Sequence, residues 1–292
     1  MPHKQMKVSG FSFVRNAIAF DYPFLESIQS VLPLCDEFVI AVGKSDDATL
    51  ERIESLRSPK IVTIPTVWDD NLRNGGVILA QQTNIALNHV SGDWAIYLQA
   101  DEVVHEKDLP AIRKSMEEAL EDKRVEGLLF SYKHFYGSYG YIGASRRWYR
   151  NEIRVVRPAI GVRSWGDAQG FPIAGRKMRV KLVDASIYHY GWVKSPARQQ
   201  AKQRTFNRYW HDDSWMEQNV YTSSEFDYSS GGRLEQFTGT HPAVMKERVA
   251  GQDWYFSYDP AKMNQPLVER TLDRFESATG LRPWEYRNYK LL

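Results

Sequence analysis

Short apolar segments alternate with amphipathic segments along the first half of the chain. Glu37–Val42 (EFVIAV) is typical of a strand buried on both faces, whereas Lys107–Leu120 places its apolar residues on one helical stripe. This alternation predicts an α/β fold with a mostly parallel, Rossmann-like sheet flanked by helices. The predicted strands are Val8–Val14, Glu37–Val42, Lys60–Thr66, Trp94–Leu98 and Glu126–Tyr132, and the predicted helices are Tyr22–Leu34, Ala48–Leu56, Val77–Val90 and Lys107–Leu120.

The pattern weakens after about Gly137 and ends near Trp192. Two later segments rich in glycine and polar residues, Tyr136–Tyr149 and Ser223–Thr240, predict loops. Helices are expected near Arg198–Trp210 and Leu267–Phe275. We therefore expect one α/β domain over residues 1–192 and a helical or irregular extension over residues 193–292.

Charge and composition narrow the possible partners. The 38 basic and 36 acidic side chains leave a net charge of +2, which predicts no nucleic-acid partner. No window approaches the ~20 apolar residues of a membrane-spanning helix, and Met1–Gly10 lacks the apolar run of a signal peptide. We expect a soluble, cytoplasmic protein with at most peripheral membrane association. Cys35 is the only cysteine, so no intramolecular disulfide can form.

Polar residues follow four of the predicted strands at the point where each strand ends. Ligands of open α/β sheets bind at the carboxyl ends of the strands, so we expect these loops to form one site. The polar loop residues are Arg15-Asn16, Ser45-Asp46-Asp47, Asp69-Asp70-Asn71 and Gln99-Ala100-Asp101-Glu102.

Asp101 and Glu102 directly follow the apolar strand WAIYL. Adjacent carboxylates at a strand end are costly to desolvate, so they favour a bound divalent cation or solvent. The alternative is that they cap the following helix. His189, between two tyrosines, is a third candidate ligand for the cation, with a structural role as its alternative.

The loops after the first two strands hold candidate nucleotide ligands. Arg15 is a good phosphate partner, and the acidic side chain of Asp47 can accept hydrogen bonds from a ribose or a base. Both have simpler interpretations: Arg15 as a solvated loop residue, and Asp47 as a cap of the next helix.

Taken in order, these motifs resemble the glycosyltransferase family 2-like proteins with the GT-A fold. The resemblance spans Val8 to Trp192. The matching segments are Val14-Arg15-Asn16; Gly43-Lys44-Ser45-Asp46-Asp47-Ala48-Thr49, for a Gly-x-Ser-x-Asp-x-Thr loop; Asn84; Ser91-Gly92-Asp93-Trp94; Gln99-Ala100-Asp101-Glu102, for Asp-Ala-Asp-Glu; and His189-Tyr190-Gly191.

The resemblance implies a glycosyltransferase that moves a sugar from a nucleoside-diphosphate sugar to a carbohydrate, lipid-linked or small-molecule acceptor. Asp47 would contact the base or ribose, with Arg15 and Asn16 beside the nucleotide. Asp101 would bind Mn²⁺ or Mg²⁺ and the diphosphate, with Glu102 and His189 in support. Residues 193–292 would then lie on the acceptor side or pack against the core.

The chain departs from the family pattern at Gln99, where an acid is expected. Glutamine can still hydrogen-bond a ribose but is not a charged metal ligand.

Inverting transfer needs a carboxylate base near the acceptor hydroxyl. In related proteins an acidic residue follows an Arg-x-x-Arg-Asn segment, which here is Arg147–Asn151. The resemblance therefore makes Asp167 the candidate base, and the alternative is that Asp167 is a simple turn residue.

Two other functions are compatible with these residues. Gln99 in place of an acid, together with a simple turn role for Asp167, would favour a non-catalytic protein that binds nucleotide-sugars or glycans. A nucleotidyltransferase could use a similar sheet, but it needs a glycine-rich phosphate loop after the first strand, and Phe11–Phe20 contains no glycine.

Overall fold

The computed structural model describes residues 5–73, 75–220, 223–262 and 266–292. No helix within these ranges combines the length and the apolar composition that crossing a membrane requires. The strands are β1 (Val8–Val14), β2 (Glu37–Gly43), β3 (Ile61–Thr66), β4 (Trp94–Tyr97), β5 (Glu102–Val104), β6 (Gly127–Tyr136), β7 (Tyr141–Gly143), β8 (Asn151–Val156), β9 (Met178–Trp192), β10 (Leu234–Gln236) and β11 (Tyr289–Leu291). The α-helices are α1 (Phe24–Val31), α2 (Thr49–Glu54), α3 (Val77–Leu87), α4 (Leu109–Ala119), α5 (Pro196–Phe206), α6 (Asp213–Asn219), α7 (Lys246–Ala250) and α8 (Leu267–Thr279).

Four parallel strands form one side of the sheet, with β3 at its edge. They lie in the order β4, β1, β2, β3, and each neighbouring pair is parallel. Beyond β4 the direction changes, because β8 pairs antiparallel with both β4 and β6, and β6 then runs parallel to β9. The predicted α/β fold with a sheet flanked by helices is confirmed, and the sheet is mixed, with four consecutive parallel strands formed by the first half of the chain.

Alternate residues of the central strands enter two separate cores, since successive side chains of a strand point to opposite faces. In β2, Phe38 and Ile40 pack with residues of α1 and α4, whereas Val39 and Ala41 pack with residues of α3. Burial on both faces explains why this strand is apolar throughout instead of alternating apolar and polar residues.

Residues beyond Trp192 extend the same sheet. β10 pairs antiparallel with β7, and β11 runs parallel to β9. Tyr289 is buried in the core on the α3 side, with Phe206 and Trp210 packed against it. The two segments predicted as loops therefore each contain a short strand, β7 and β10, because pairing between distant segments orders a chain whose composition favours turns.

Candidate functional site

The loops at the carboxyl ends of the parallel strands touch one another. Arg15 Nη1 donates a hydrogen bond to Asp70 Oδ1 at 2.7 Å, which joins the loops after β1 and β3. Asn16 Oδ1 accepts a hydrogen bond from the Asp46 backbone at 2.8 Å, which joins the loops after β1 and β2. The edge that the sequence predicts as a site is thus a continuous surface.

A cavity of about 810 Å³, counting its open mouth, lies at the carboxyl ends of β1 and β4. Its polar wall brings together four of the predicted site residues, and its apolar wall is largely aromatic. The polar residues include Arg15, Gln99, Asp101, Asp167 and Lys202, and the aromatic ones include Phe13, Tyr22, Trp68, Phe206, Tyr209 and Trp210.

Asp47 and Asn16 hold the shape of the edge loops. Asp47 Oδ1 accepts a hydrogen bond from the Thr49 backbone at 3.0 Å, in the turn ahead of α2, and its Oδ2 accepts one from the Ala19 backbone at 2.9 Å. The N-cap residue of α2 is Ala48, so Asp47 does not cap this helix as the alternative predicted. The Asn16 backbone donates to Ser45 Oγ at 3.0 Å, and Asn16 has a φ of 53°. Neither side chain lines the main cavity, but Asp47 lines a neighbouring cavity with Lys44.

Arg15 faces the main cavity with its guanidinium only partly satisfied. Its Nη1 bonds Asp70, and its Cζ lies 5.6 Å from the centre of the Trp68 ring. Its Nε is buried and has no hydrogen-bond partner in the protein. A buried N–H group without a partner is unfavourable, so Arg15 is suited to receive an anionic ligand.

Glu102 is engaged in a buried ion pair. Arg154 donates from Nε and Nη2 to the two Glu102 oxygens at 2.8 and 2.7 Å, and both side chains are fully buried. The Tyr132 hydroxyl at 2.8 Å and the Gln99 backbone at 3.1 Å donate to the same carboxylate. Four donors saturate these two oxygens, so the predicted role of Glu102 as a metal ligand does not fit this geometry.

Asp101 lies on the cavity wall between two basic side chains. Its Oδ2 is 3.6 Å from Lys202 Nζ and 3.7 Å from His189 Nε2. Burial opposes its ionisation, but His189 and Lys202 outweigh burial and hold the pKa of the carboxyl well below its ordinary value. A Cβ at Gly191 would lie 2.5 Å from Asp101 Oδ2, so the close approach of the Asp101 carboxylate to the backbone at residue 191 requires a glycine there.

His189 is held from its other side by a second histidine. Its Nδ1 lies 3.1 Å from His134 Nδ1, and His134 Nε2 lies 2.8 Å from the Tyr149 carbonyl. A carbonyl only accepts, so we assign the His134 proton to Nε2 and a hydrogen bond from His189 Nδ1 to His134 Nδ1. Burial, together with the charge of His189, holds the pKa of His134 well below its ordinary value, which keeps His134 neutral.

These contacts decide whether the predicted cation ligands fit a divalent ion. Only Asp101 and His189 come together, and the Asp101 oxygen nearest to His189 also faces an ammonium group. Across the described ranges, no three His, Cys, Asp or Glu side chains group in a way that could hold a metal ion. Hard divalent cations favour several oxygen ligands, so this donor set does not fit Mn²⁺ or Mg²⁺.

Asp167 is presented by a strained turn. Gly166 and Ala168, on either side of it, have φ values of 60° and 66°, and Ala168 is fully buried. A left-handed conformation at a non-glycine residue costs roughly 1–2 kcal/mol, and such strain clusters at functional sites. The Gln169 backbone donates to Asp167 Oδ1 at 3.3 Å, as the turn alternative predicts. Burial raises the pKa of Asp167 above its ordinary value, which makes its carboxylate a stronger base.

Asp167 and Gln169 also line a second, wider cleft. The rim of this cleft contains three strongly exposed aromatic side chains: Trp165, Trp284 and Tyr286 are 72%, 87% and 81% exposed. Exposed aromatic faces of this kind suit the apolar faces of sugar rings.

Two basic side chains near this cleft, Arg147 and Arg150, form a cluster that the C-terminal extension neutralises. Arg150 makes two 2.8 Å bonds to Glu285, and Arg147 Nε donates to Glu269 at 2.9 Å. These carboxylates come from α8 and the segment after it. No sequence pattern pairs them with the arginines. The cluster is therefore part of the packing of the extension against the core.

Glu152 is a buried acid on the wall of this second cleft. Asn288 Nδ2 donates to its Oε2 at 2.9 Å. Burial raises its pKa to about 7 from an ordinary 4.5, against the opposing charge of Arg154. The folded protein therefore retains a proton on Glu152 at a pH at which the unfolded chain has lost it.

We expect Glu152→Gln to stabilise the protein at pH 8 but not at pH 5. Because the folded-state pKa is raised, the contribution of Glu152 to stability is full below about pH 4.5 and is lost as the pH rises through about 7. The gain at pH 8 is at most about 3 kcal/mol, since one pKa unit corresponds to about 1.4 kcal/mol. Urea unfolding at both pH values measures it, with the exposed Glu235→Gln as control. An equal stability change at both pH values would contradict the prediction.

Three side chains of the site were missed by the sequence analysis in their present roles: Lys202, Arg154 and Glu152. Lys202 lies in a polar helix outside every motif, where a lysine is normally exposed. Arg154 and Glu152 lie in β8 among apolar residues. Charged residues inside an apolar strand are the one signal that could have marked a buried ion pair.

No protein-family model matches the chain, and no curated protein matches it either. Among solved structures, the chain is similar to S. aureus TarS at 15% identity and a TM-score of 0.41, over 75% of this chain and 41% of that chain. It is similar to S. aureus TarS 1-349 in complex with UDP-GlcNAc at 15% identity and a TM-score of 0.42, over 75% of this chain and 68% of that chain. It is also similar to Mycobacterium tuberculosis glucosyl-3-phosphoglycerate synthase in complex with Mn²⁺, UDP-glucose and phosphoglyceric acid. The identity there is 18% and the TM-score 0.31, over 44% of this chain and 44% of that chain. The chain thus spans less than half the length of the first and third of these proteins.

Proposed function

We propose that this protein is a glycosyltransferase that moves a sugar, with inversion, from a nucleoside-diphosphate sugar to a carbohydrate hydroxyl. The observation that supports it best is the position of Asp167, which lines both the cavity at the strand ends and the aromatic cleft. A base for inverting transfer must reach the acceptor hydroxyl beside the donor sugar, and a residue shared by two adjoining sites meets that requirement.

The donor occupies the cavity at the carboxyl ends of β1 and β4. Its diphosphate faces Arg15, whose buried Nε has no partner in the protein. Its ribose lies within reach of the Gln99 amide, which can donate to and accept from hydroxyl groups. Asp47 and Asn16 contribute by holding the loops after β1 and β2 in place. In this proposal the cavity takes a nucleotide-sugar with the sugar directed toward Asp167.

The acceptor occupies the second cleft. Trp165, Trp284 and Tyr286 offer aromatic faces for stacking against sugar rings, and Asn151 and Asn288 offer side-chain amides for its hydroxyls. Residues beyond Trp192 supply part of this cleft, which gives the C-terminal extension a role in acceptor binding. The acceptor class that this chemistry favours is a glycan, free or attached to a larger carrier.

The reaction needs one proton transfer and one displacement. The Asp167 carboxylate accepts the proton of the acceptor hydroxyl as that oxygen attacks the anomeric carbon of the donor sugar. The bond between this carbon and the diphosphate oxygen breaks, and the nucleoside diphosphate leaves with the electron pair. Arg15 stabilises the negative charge that develops on the leaving group.

We expect nucleoside diphosphates to bind the protein, and Arg15→Gln to weaken their binding about tenfold or more. A charge-assisted hydrogen bond contributes about 1.5–3 kcal/mol, and about 1.4 kcal/mol corresponds to a factor of ten. Thermal shift with each nucleoside diphosphate identifies the base, because a ligand of the folded state raises its stability. Calorimetry then measures the affinity.

Asp70→Asn is the matched control, since it removes the partner of Arg15 but leaves the guanidinium in place. Its affinity for the diphosphate should equal or exceed that of the parent.

Incubation with labelled nucleotide-sugars and glycan acceptors tests transfer. Binding without transfer or hydrolysis would favour a non-catalytic nucleotide-sugar-binding protein, and no binding of any nucleoside diphosphate would reject the proposal.

A further inference from the structure

Lys202 brings a positive charge into the wall of the cavity from outside the sheet. It lies on α5, is 6% exposed, and reaches the cavity beside Asp101. Its Nζ donates to the Gly191 carbonyl at 2.9 Å and lies 3.6 Å from Asp101 Oδ2. The Tyr22 ring lies beneath the ammonium, with its centre 4.8 Å from Nζ. Backbone, carboxylate and ring together fix this charge in position.

The ammonium group retains capacity for a further ligand. It has three N–H donors, of which the Gly191 carbonyl takes one and the more distant Asp101 oxygen approaches a second. The side chain lines the cavity, so a remaining N–H group can reach an oxygen of a ligand bound there. Phosphate oxygens are the acceptors that best match a desolvated ammonium.

The charges around Asp101 are unfavourable for a divalent ion at the same place. Asp101 is already paired with Lys202, and Arg154 neutralises Glu102. A dication on Asp101 would lie close to the ammonium, and in a buried site this repulsion is weakly screened. Gln99 in place of an acid removes one more negative charge from this edge.

We propose that the ammonium group of Lys202 takes the place of a divalent cation in this protein and neutralises the diphosphate of the donor directly. Asp101 is then a positioning residue, which holds the ammonium at the cavity wall. This inference rests on the proposed function, because it concerns how the donor is bound.

Calorimetry of the full chain with its nucleoside diphosphate tests the inference. We expect the parent protein to bind the diphosphate with the same affinity in EDTA and in excess Mn²⁺. Lys202→Met retains the length of the side chain and removes the charge, so it should weaken diphosphate binding at least about tenfold while leaving nucleoside binding unchanged. Added Mn²⁺ should not strengthen diphosphate binding to the parent.

Two further variants control for the burial of a charge. The double variant Asp101→Asn, Lys202→Met removes both charges, so neither is left buried without its partner. It should also lose at least about tenfold in diphosphate affinity, so the inference can be tested even if Lys202→Met alone unfolds. Lys60→Met removes a partly buried lysine whose Nζ bonds the Leu32 and Cys35 carbonyls and which does not line the cavity. It should bind the diphosphate like the parent.

The outcomes separate this inference from the function on which it rests. Diphosphate binding that EDTA abolishes and Mn²⁺ restores would overturn the role of Lys202 but support a metal-assisted transferase. Parent-like affinity in the Asp101→Asn, Lys202→Met double variant would overturn it as well. Failure of every nucleoside diphosphate to bind, with or without Mn²⁺, would overturn the proposed function and this inference together.

Discussion

Replacing Asp167 with asparagine is expected to lower the rate of sugar transfer by about 100-fold or more, in the range that a general base contributes. Asparagine has nearly the same shape and can accept the same hydrogen bond from the Gln169 backbone, so the strained turn should persist. It cannot accept a proton from the acceptor hydroxyl. Because a base acts in the transition state, kcat should fall while the affinity for the donor stays within about twofold. Steady-state kinetics together with calorimetry separate the two effects.

Glu152→Gln is the matched comparison for this prediction. Glu152 lines the second cleft and has a raised pKa, so it is the nearest competitor for the role of base. If Asp167 is the base, Glu152→Gln should alter the KM for the acceptor more than kcat. A large loss of kcat in Glu152→Gln, with full activity in Asp167→Asn, would assign the role to Glu152.

Arg154→Met is expected to destabilise the protein by about 3–5 kcal/mol, the usual cost of leaving one member of a buried ion pair alone. Both side chains of the pair are fully buried, and Arg154 also stacks between the rings of Tyr97 and Tyr132. Without the guanidinium, the Glu102 carboxylate has only the Tyr132 hydroxyl and one backbone N–H as donors. Urea unfolding near neutral pH measures the change.

The double variant Arg154→Met, Glu102→Gln isolates the charge effect. Glutamine is neutral and can still accept hydrogen bonds, so the double variant should recover part of the loss, which gives a coupling energy between the two positions. Arg150→Met serves as the control, because its pair with Glu285 is more exposed and should contribute about 1 kcal/mol or less. Equal destabilisation by Arg154→Met and Arg150→Met would show that burial of the pair has no special effect.

The sequence is sufficient to predict the parallel side of the sheet, from β4 to β3. Strands buried on both faces, such as β2, must be apolar at successive positions, and the helices between them must present one apolar stripe. Both demands act on residues close together in the chain, so the pattern is visible locally. The same reasoning correctly predicted that the loops holding Arg15, Asp47 and Asp101 meet at one edge, since parallel strands end on the same side.

The short strands β7 and β10 were not predictable in this way. They lie in segments rich in glycine and polar residues, and they are ordered by pairing with each other and, for β7, with β6. The antiparallel direction of β8 likewise depends on its partners β4 and β6. Pairing between distant segments leaves no periodic signal in either segment, so composition alone favoured loops.

The chemistry of the site was decided by tertiary structure. Asp101 and Glu102 are adjacent in sequence and equivalent in type, yet one faces the cavity and the other is enclosed by Arg154. Lys202 approaches Asp101 from a helix outside every motif. The sequence by itself determined which loops meet at the strand ends, because that follows from the period and direction of neighbouring elements. Only the tertiary structure decided which charges are paired there, because an ion pair depends on distance and burial between residues that are far apart along the chain.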